Sequence, residues 1–235
     1  MAFKKLTIIC LSFITFSCAE LQDVVNSLPT ETTNGTLDIA GGLRQALDLG
    51  IDKQVSKLTQ KDGFYKNNLV KIVMPDELQK VDEALRKIGL GSLADEGIKA
   101  LNRAAEDAVK EATPIFIEAV KTITFNDTKN ILLGNDKAAT NYLKSRTNSA
   151  LYHKFNPVIK SSFSKVGADQ IWTNIINKYN TIPFVNKVNP DLTDYVTNEA
   201  LKGVYIMIAV EEKKIRTNIN SRTTNLLRQV FALQD

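Results

Sequence analysis

Between Val204 and Val210 the chain carries seven apolar residues in succession, Val-Tyr-Ile-Met-Ile-Ala-Val. Around this run, apolar residues recur close to the 3.6-residue period of an α-helix, at Leu192, Val196, Leu201, Val204, Ile208 and Ile215. Asn189-Pro190-Asp191 is typical of a helix start, because Asn caps a helix and Pro suits the first helical position. We therefore predict one long central helix from about Asp191 to Arg216. Because the apolar run leaves no polar face, the rest of the protein should enclose this helix.

The remaining pattern predicts further helices and no repeat. The expected segments are 39–58, a helix opened by Pro75-Asp76-Glu77, an Ala-rich helix over 92–112 with a break or kink at Thr113-Pro114, a short helix after the turn 124–127, a helix capped by Asn135-Asp136 and running through Leu143, the span 151–166, the span 170–179 and a last short helix over 223–231. Pro157 should kink or split the span 151–166 after Asn156. These elements predict an all-α protein with a single multi-helix domain at residues 36–233, built around the central helix.

Residues 64–74 do not have a helical pattern. Leu69 to Met74 is an extended apolar run closed by Pro75, which is compatible with a strand. No second strand is evident to pair with it. We interpret the segment as a strap packed over the helices.

The first 35 residues predict export. Lys4 and Lys5 precede a short apolar run that is too short to span a membrane, and the run ends in Ser17-Cys18. A small residue before Cys at this place resembles the bacterial lipoprotein signal. We predict a signal peptide at 1–17, a lipidated Cys18 at the mature N-terminus and a flexible tether over 18–35. Ordinary signal cleavage and an uncleaved anchor remain alternatives.

The amino-acid composition excludes several kinds of functional site. Apolar residues make up 43% of the chain and charged residues 24%, so a hydrophobic core can form. Without Lys4 and Lys5 of the leader, 28 basic residues stand against 26 acidic ones, which gives no basis for nucleic-acid binding. The two cysteines are Cys10 and Cys18, so the folded part would have no disulfide, thiolate metal site or Cys nucleophile.

Two charges interrupt the apolar face of the central helix. Glu212 shares the face of Ile208 and Ile215, and Arg216 follows it at the spacing of a helical ion pair. We interpret them as a structural ion pair, with Arg222 as a second possible partner, that fixes the angle between the central and last helices. The alternative is a site carboxylate with a shifted pKa. Glu211, one position round the helix, is expected to be exposed and to tolerate substitution by Gln.

Other candidate chemistry is sparse. His153 is the single histidine and is interpreted as a surface or helix-end residue rather than a base. No metal-ligand spacing or phosphate-binding glycine loop is present, so we predict no metal, no cofactor and no catalytic residue. Most of the acidic pairs are interpreted as solvated faces; the pairs are Asp95-Glu96, Glu106-Asp107 and Glu211-Glu212.

Several stretches are similar to a bacterial family known as domain of unknown function 4197. They are Asp191-Leu192, Tyr195-Val196-Thr197, Ala200-Leu201, Gly203, Ile208-Ala209, Glu211-Glu212, Ile215-Arg216, Arg222-Thr223-Thr224, Leu226-Leu227 and Val230-Phe231, with Asp62-Gly63-Phe64, Arg86 to Gly91, Ile131-Leu132, Gly134, Ala138-Ala139-Thr140 and Tyr142-Leu143 upstream. The resemblance covers about residues 36–233. It implies a helical, exported protein and supplies no activity or site residue.

Three functions are compatible with this sequence. We favour a non-enzymatic binding or scaffold lipoprotein of the cell envelope, held to a membrane, the outer one rather than the inner, by lipid on Cys18, with an unknown envelope protein as its partner. The second is a carrier of an apolar ligand or lipid in a helical cavity, which requires a cavity of a few hundred Å³. The third is a carboxylate-dependent hydrolase around Glu212, which requires several carboxylates converging in a cleft.

Overall fold

The structure is a computed structural model, and it describes residues 38–87, 89, 91–165, 168–181, 183–184, 187 and 191–232. Its helices are α1 Ile39–Leu58, α2 Asp76–Lys87, α3 Gly91–Val109, α4 Ala112–Lys121, α5 Phe125–Leu132, α6 Ala138–Lys165, α7 Ala168–Asn180, α8 Thr193–Thr217 and α9 Asn225–Phe231, with a 3₁₀ turn at Ile219–Ser221. No strand occurs among these residues, which confirms the all-α prediction. No described helix is long and apolar enough to cross a membrane.

The predicted central helix is α8, and it packs against α1, α3 and α6. Leu201, Val204 and Ile208 are exposed by only 2%, 1% and 4%, so the predicted inward face is correct. The helix begins two residues later than expected, because the Asp191 carboxylate accepts a hydrogen bond from the Thr193 N–H at 2.9 Å before the first turn. The predicted cap at 189–190 lies outside the described residues.

The enclosure of α8 is incomplete. Ile206, Ala209 and Val210 are only partly buried, so the apolar run keeps an outward stripe. The prediction that this stretch is enclosed on every side is therefore wrong. The reason is geometric: the helices that pack on α8 cover the faces of Leu201, Val204 and Ile208 and leave part of the opposite side open.

The longest of the described helices is α6, which runs unbroken for 28 residues with Pro157 inside it. The prediction of two separate helices, one running through Leu143 and the other over 151–166, is therefore wrong, as is the split after Asn156 that was one alternative to a kink there. Pro157 leaves the carbonyl four residues earlier, at His153, without its helical donor. Both residues are exposed, so water can satisfy that carbonyl, while Phe155 and Ile159 beside them are fully buried and hold the helix in place.

The strap at residues 64–74 packs against α3 and α8. Side chains alternate along its second half: Val70, Ile72 and Met74 are buried, whereas Leu69, Lys71 and Val73 are exposed. A helix supplies the partner that a neighbouring strand would give, because the Asn102 side chain accepts from the Ile72 N–H at 2.8 Å and donates to the Ile72 carbonyl at 2.7 Å. The strap interpretation is therefore correct.

Small residues let the elements around α3 approach closely. A Cβ on Gly97 would lie 2.1 Å from Cζ2 of Trp172, so only glycine allows the indole ring of α7 to sit on α3. On α8, a Cβ on Gly203 would lie 2.7 Å from Cε1 of Phe64 in the strap. The break predicted at Thr113-Pro114 lies earlier, at 110–111: α3 ends at Val109 and α4 begins at Ala112, so Pro114 falls in the first turn of α4.

The junction between α5 and α6 positions the candidate site. The segment 124–127, expected as a turn, is the start of α5: Thr124 and Asp127 form a reciprocal capping box. The hydrogen bonds from the Thr124 backbone and hydroxyl lower the pKa of Asp127. After α5 ends at Leu132, an exposed link over 134–137 leads into α6, with Asn135 accepting from the Lys137 N–H at 2.9 Å.

Candidate functional site at the end of the central helix

Glu212 lies on the buried side of α8, and its carboxylate caps the start of α6. Oε1 accepts a hydrogen bond from the Ala139 N–H at 2.9 Å. Oε2 accepts from the Thr140 N–H at 2.8 Å and from the Thr140 hydroxyl at 2.7 Å. The first amides of a helix have no partner within it and form its positive end. Glu212 therefore supplies, from a different helix, the acceptor and the negative charge that the start of α6 needs.

Arg216 completes the same cluster from the next turn of α8. Its Nη2 lies 2.9 Å from Oε1 of Glu212, and Nε lies 3.1 Å from the same oxygen. Nη2 also donates to the Ile131 carbonyl at 2.8 Å, at the C-terminal end of α5. The side chains of Glu212 and Arg216 are 6% and 7% exposed, so the pair is buried. The cation thus meets the negative end of α5 while the anion meets the positive end of α6.

Arg222 is buried beyond the end of α8 and donates hydrogen bonds to the last carbonyls of that helix. Nε donates to the Ile215 carbonyl at 3.0 Å, and Nη2 donates to the Arg216 carbonyl at 3.1 Å. The guanidinium groups of Arg216 and Arg222 both lie 5.9 Å from the ring centre of Phe231 in α9. Both arginines therefore contact the last helix, whereas the Glu212 contacts lead to α6.

Glu211 is buried as well, which overturns its expected role as an exposed neighbour. It is 4% exposed, forms an ion pair with Lys53 and accepts a hydrogen bond from Nε2 of Gln54 at 2.7 Å. The reason is that α1 packs on the face of α8 that Glu211 occupies. Adjacent carboxylates on α8 thus bind two different helices, and Glu211 cannot be a neutral control.

A third buried carboxylate, Glu106 of α3, also departs from the interpretation of acidic pairs as solvated faces. It accepts from the Phe64 N–H at 3.1 Å and pairs with Arg103, which reaches across to Asp62. Hydrogen bonds from Lys66 and then Arg103 lower the pKa of Asp62. The spacing of Arg103 and Glu106, three residues apart on α3, is that of a helical ion pair. Their contacts to Phe64 and Asp62 had no signal in the sequence, because those residues are about 40 positions away.

A buried hydroxyl pair lies farther along the contact between α6 and α8. The hydroxyls of Thr147 and Tyr205 are 2.8 Å apart. The Phe116 ring packs edge-on against Tyr205, with 6.0 Å between ring centres. Burial raises the pKa of the Tyr205 phenol to about 12, and the hydrogen bond with Thr147 partly opposes this.

The remaining candidates supply little chemistry. His153 is on an exposed face of α6, edge-on to Tyr152. Cys10 and Cys18 lie outside the described residues. Within the described ranges, no group of three His, Cys, Asp or Glu residues is arranged to hold a metal ion.

An apolar cavity lies beside the cluster, between α1, α8 and α9. It is lined by residues including Leu47, Ile51, Ile208 and Phe231, and its volume is about 20 Å³. Pockets for small-molecule ligands usually hold roughly 300–1,000 Å³. A cavity of this size has no room for an acyl chain.

A family model described as "Protein of unknown function (DUF4197)" matches residues 33–232. This match confirms the resemblance predicted from the residues. No curated protein and no solved structure matches the chain.

Proposed function

Since the chain belongs to the DUF4197 family, whose description states no function, we propose, from its sequence and from the geometry of its helical domain, that it is a non-enzymatic binding or scaffold lipoprotein of the bacterial cell envelope. Lipid on Cys18 holds it to a membrane, the outer membrane rather than the inner. Its helical domain then acts through its surface, on the periplasmic side or outside the cell, with an envelope protein as its partner.

The observation that carries this proposal is that both carboxylate oxygens of Glu212 already accept hydrogen bonds within the fold. A general base or nucleophile must have a lone pair free to meet its substrate. Glu212 instead accepts hydrogen bonds from two backbone amides, one hydroxyl and Arg216. Glu211 is similarly engaged with Lys53 and Gln54. The two carboxylates diverge toward α6 and α1 rather than converging in a cleft, which disfavours the hydrolase alternative.

The carrier alternative receives less support than the scaffold. It requires an apolar cavity of a few hundred Å³, whereas the apolar cavity between α1, α8 and α9 holds about 20 Å³. A well-filled core is the expected property of a rigid domain that presents a surface.

The anchor is tested by mass spectrometry of the mature N-terminus. We expect the mature chain to begin at an acylated Cys18 and to partition with membranes, whereas Cys18→Ala leaves the membrane fraction. A mature chain that begins elsewhere without lipid contradicts the anchor. The partner is tested by crosslinking the native lipoprotein in membranes and identifying both bound proteins and bound lipids. Recovery of one reproducible envelope protein supports the scaffold, and recovery of stoichiometric lipid inside the domain supports the carrier.

A further inference from the structure

A polar groove runs along the outer side of the contact between α6 and α8. Its volume is about 410 Å³, and partly buried Ile206 and Ala209 form the apolar part of its floor. Six polar side chains on its walls are exposed or nearly so; they are Lys137, Asn141, Lys144, Asn148, Asn198 and Lys202. No Asp or Glu lines the groove, so its walls are cationic.

In the sequence, these six residues fall into three Lys–Asn pairs, each consisting of one Lys and one Asn on the same side of the groove. Each pair has the same four-residue spacing: Lys137 with Asn141, Lys144 with Asn148, and Lys202 with Asn198. The third pair runs in reverse order along the chain. Because α8 is antiparallel to α6, all three pairs have the same direction along the groove.

Contacts between the two helices fix the spacing of the pairs. Thr140 contacts Glu212, Thr147 contacts Tyr205, and Asn156 contacts Thr197. In each of these contacts the two residue numbers add up to about 352. Two residues whose numbers have this sum therefore lie at the same height along the two antiparallel helices. Lys202 is therefore level with position 150 of α6. Measured along the groove axis at 1.5 Å per residue, the lysines follow one another at steps of about 10.5 and 9 Å, with Lys137 and Lys144 on the α6 side and Lys202 on the α8 side; the three asparagines follow the same steps.

This spacing matches an extended peptide. A polyproline II chain has three residues per turn and rises about 3.1 Å per residue, so one edge repeats every ~9.3 Å. Its backbone makes no internal hydrogen bonds, and a carboxamide can both donate to and accept from such a backbone. No described residue bonds the side-chain amides of Asn141 and Asn148 or pairs with the ammonium groups of Lys137 and Lys144. In the third pair, Lys202 lies 3.2 Å from Glu199 at the surface, and Nδ2 of Asn198 donates to the Asp194 carbonyl at 2.9 Å, so the Asn198 carboxamide oxygen is the atom that can accept from a peptide.

We propose that the α6–α8 groove binds an acidic peptide segment in the polyproline II conformation, with a carboxylate at every third residue. The lysines meet the carboxylates, and the asparagines bond the peptide backbone. About eight residues span the roughly 25 Å from Lys137 to Asn198. A helical ligand fits less well, because its backbone groups are already paired. A glycan fits less well because Tyr205, the aromatic residue of the groove, is buried and offers no ring face for stacking. This proposal rests on the proposed binding function and names the partner class.

The test uses a fluorescent peptide of four Glu-Ala-Pro repeats and the full-length protein in detergent, with binding measured by fluorescence anisotropy. Control peptides are four Gln-Ala-Pro repeats and a peptide of the same composition with its four Glu residues in succession. We expect the repeat peptide to bind more tightly than both. Lys144→Gln should weaken it about two- to fivefold, the usual range of an exposed ion pair, and should reduce the salt dependence of binding. Asn141→Ala should weaken binding while leaving the salt dependence unchanged.

Lys99→Gln, on an exposed face of α3, is the matched control and should bind like the wild type. Circular dichroism confirms that each variant keeps its helices, which the exposure of the changed side chains favours. Equal binding of the Glu and Gln peptides overturns the proposal, as does a Lys144→Gln variant that matches Lys99→Gln. Tighter, groove-dependent binding of polygalacturonate or of a helical acidic peptide overturns the peptide class.

Crosslinking in membranes separates this proposal from the broader one. If the combined Lys137→Gln, Lys144→Gln and Lys202→Gln variant captures the same envelope protein as the wild type, the groove is wrong and the scaffold function stands. If the wild type binds the repeat peptide but captures no envelope protein, the groove stands and the scaffold function is wrong.

Discussion

Replacing Glu212 by Gln should strongly destabilise the fold. The five donor contacts around the carboxylate come from Ala139, Thr140 and Arg216, and all of those donors remain in the variant. A Gln side chain offers one acceptor oxygen and one NH₂ group. Whichever way it is turned, the NH₂ faces donors on one side. The variant also leaves the buried Arg216 cation without its anion.

The expected loss follows from these contacts. Removing one partner of a buried ion pair typically costs about 3–5 kcal/mol. For a domain of 150–250 residues, each kcal/mol lowers the melting temperature by roughly 2–4 °C. Glu212→Gln should therefore melt about 6–20 °C below the wild type, measured by circular dichroism at 222 nm. Membrane attachment should not change, because the proposed anchor at Cys18 is far from Glu212 in the sequence.

Glu199→Gln on the same helix is the matched control. Its carboxylate pairs with Lys202 at the surface, where a pair contributes about 0–1 kcal/mol. Equal, small shifts for Glu199→Gln and Glu212→Gln would refute the structural role of Glu212. A Glu212→Gln variant that keeps its stability but loses a cellular phenotype would instead indicate that this carboxylate belongs to a functional site.

Three further changes test the core and the buried phenol. Ile208→Ala should lower the unfolding free energy by about 2–5 kcal/mol in urea titrations, because a buried side chain is removed; a loss under 1 kcal/mol contradicts the central place of α8. Gly97→Ala should cost about 1–3 kcal/mol in the same assay, since the new methyl group overlaps the Trp172 ring. Tyr205, with its pKa raised to about 12, stays protonated in the folded state after the unfolded chain has lost the proton. Stability should therefore fall between pH 10 and 12, by about 1.4 kcal/mol at pH 11. Urea midpoints at pH 9 and 11 should show this loss to be smaller in Tyr205→Phe.

Local patterns predicted most of the fold. The period of Leu201, Val204 and Ile208 identified the buried face of α8, because a helix repeats its environment every turn. The absence of a partner strand likewise identified the strap. What no local pattern contained is that Asn102, thirty residues away, takes the place of that partner.

The wrong predictions share one cause: at each of these positions, packing against distant segments of the chain determines the structure. Pro157 was expected to kink or split its helix; the split does not occur, because the segments packed on flanking Phe155 and Ile159 outweigh the loss of one hydrogen bond on an exposed side. Glu211 was expected to be exposed, but α1, more than 150 residues earlier, covers it. For Glu212, its spacing to Arg216 was readable from the sequence. The backbone amides of Ala139 and Thr140 were not, because they belong to a helix end that only the folded protein brings there.

The buried ion pair of Glu212 and Arg216 also indicates where the backbone can be cut or extended without releasing the helices on either side. It binds the end of α5 and the start of α6 directly, so the exposed link over 134–137 does not by itself set the angle between those helices. A lengthened link then adds only closure entropy, about 0.6 kcal/mol for each doubling of its length. New chain termini, a protease site or an inserted reporter placed here should leave both flanking helices seated on α8. This link is therefore the natural position for circular permutation or for a two-fragment version of the protein.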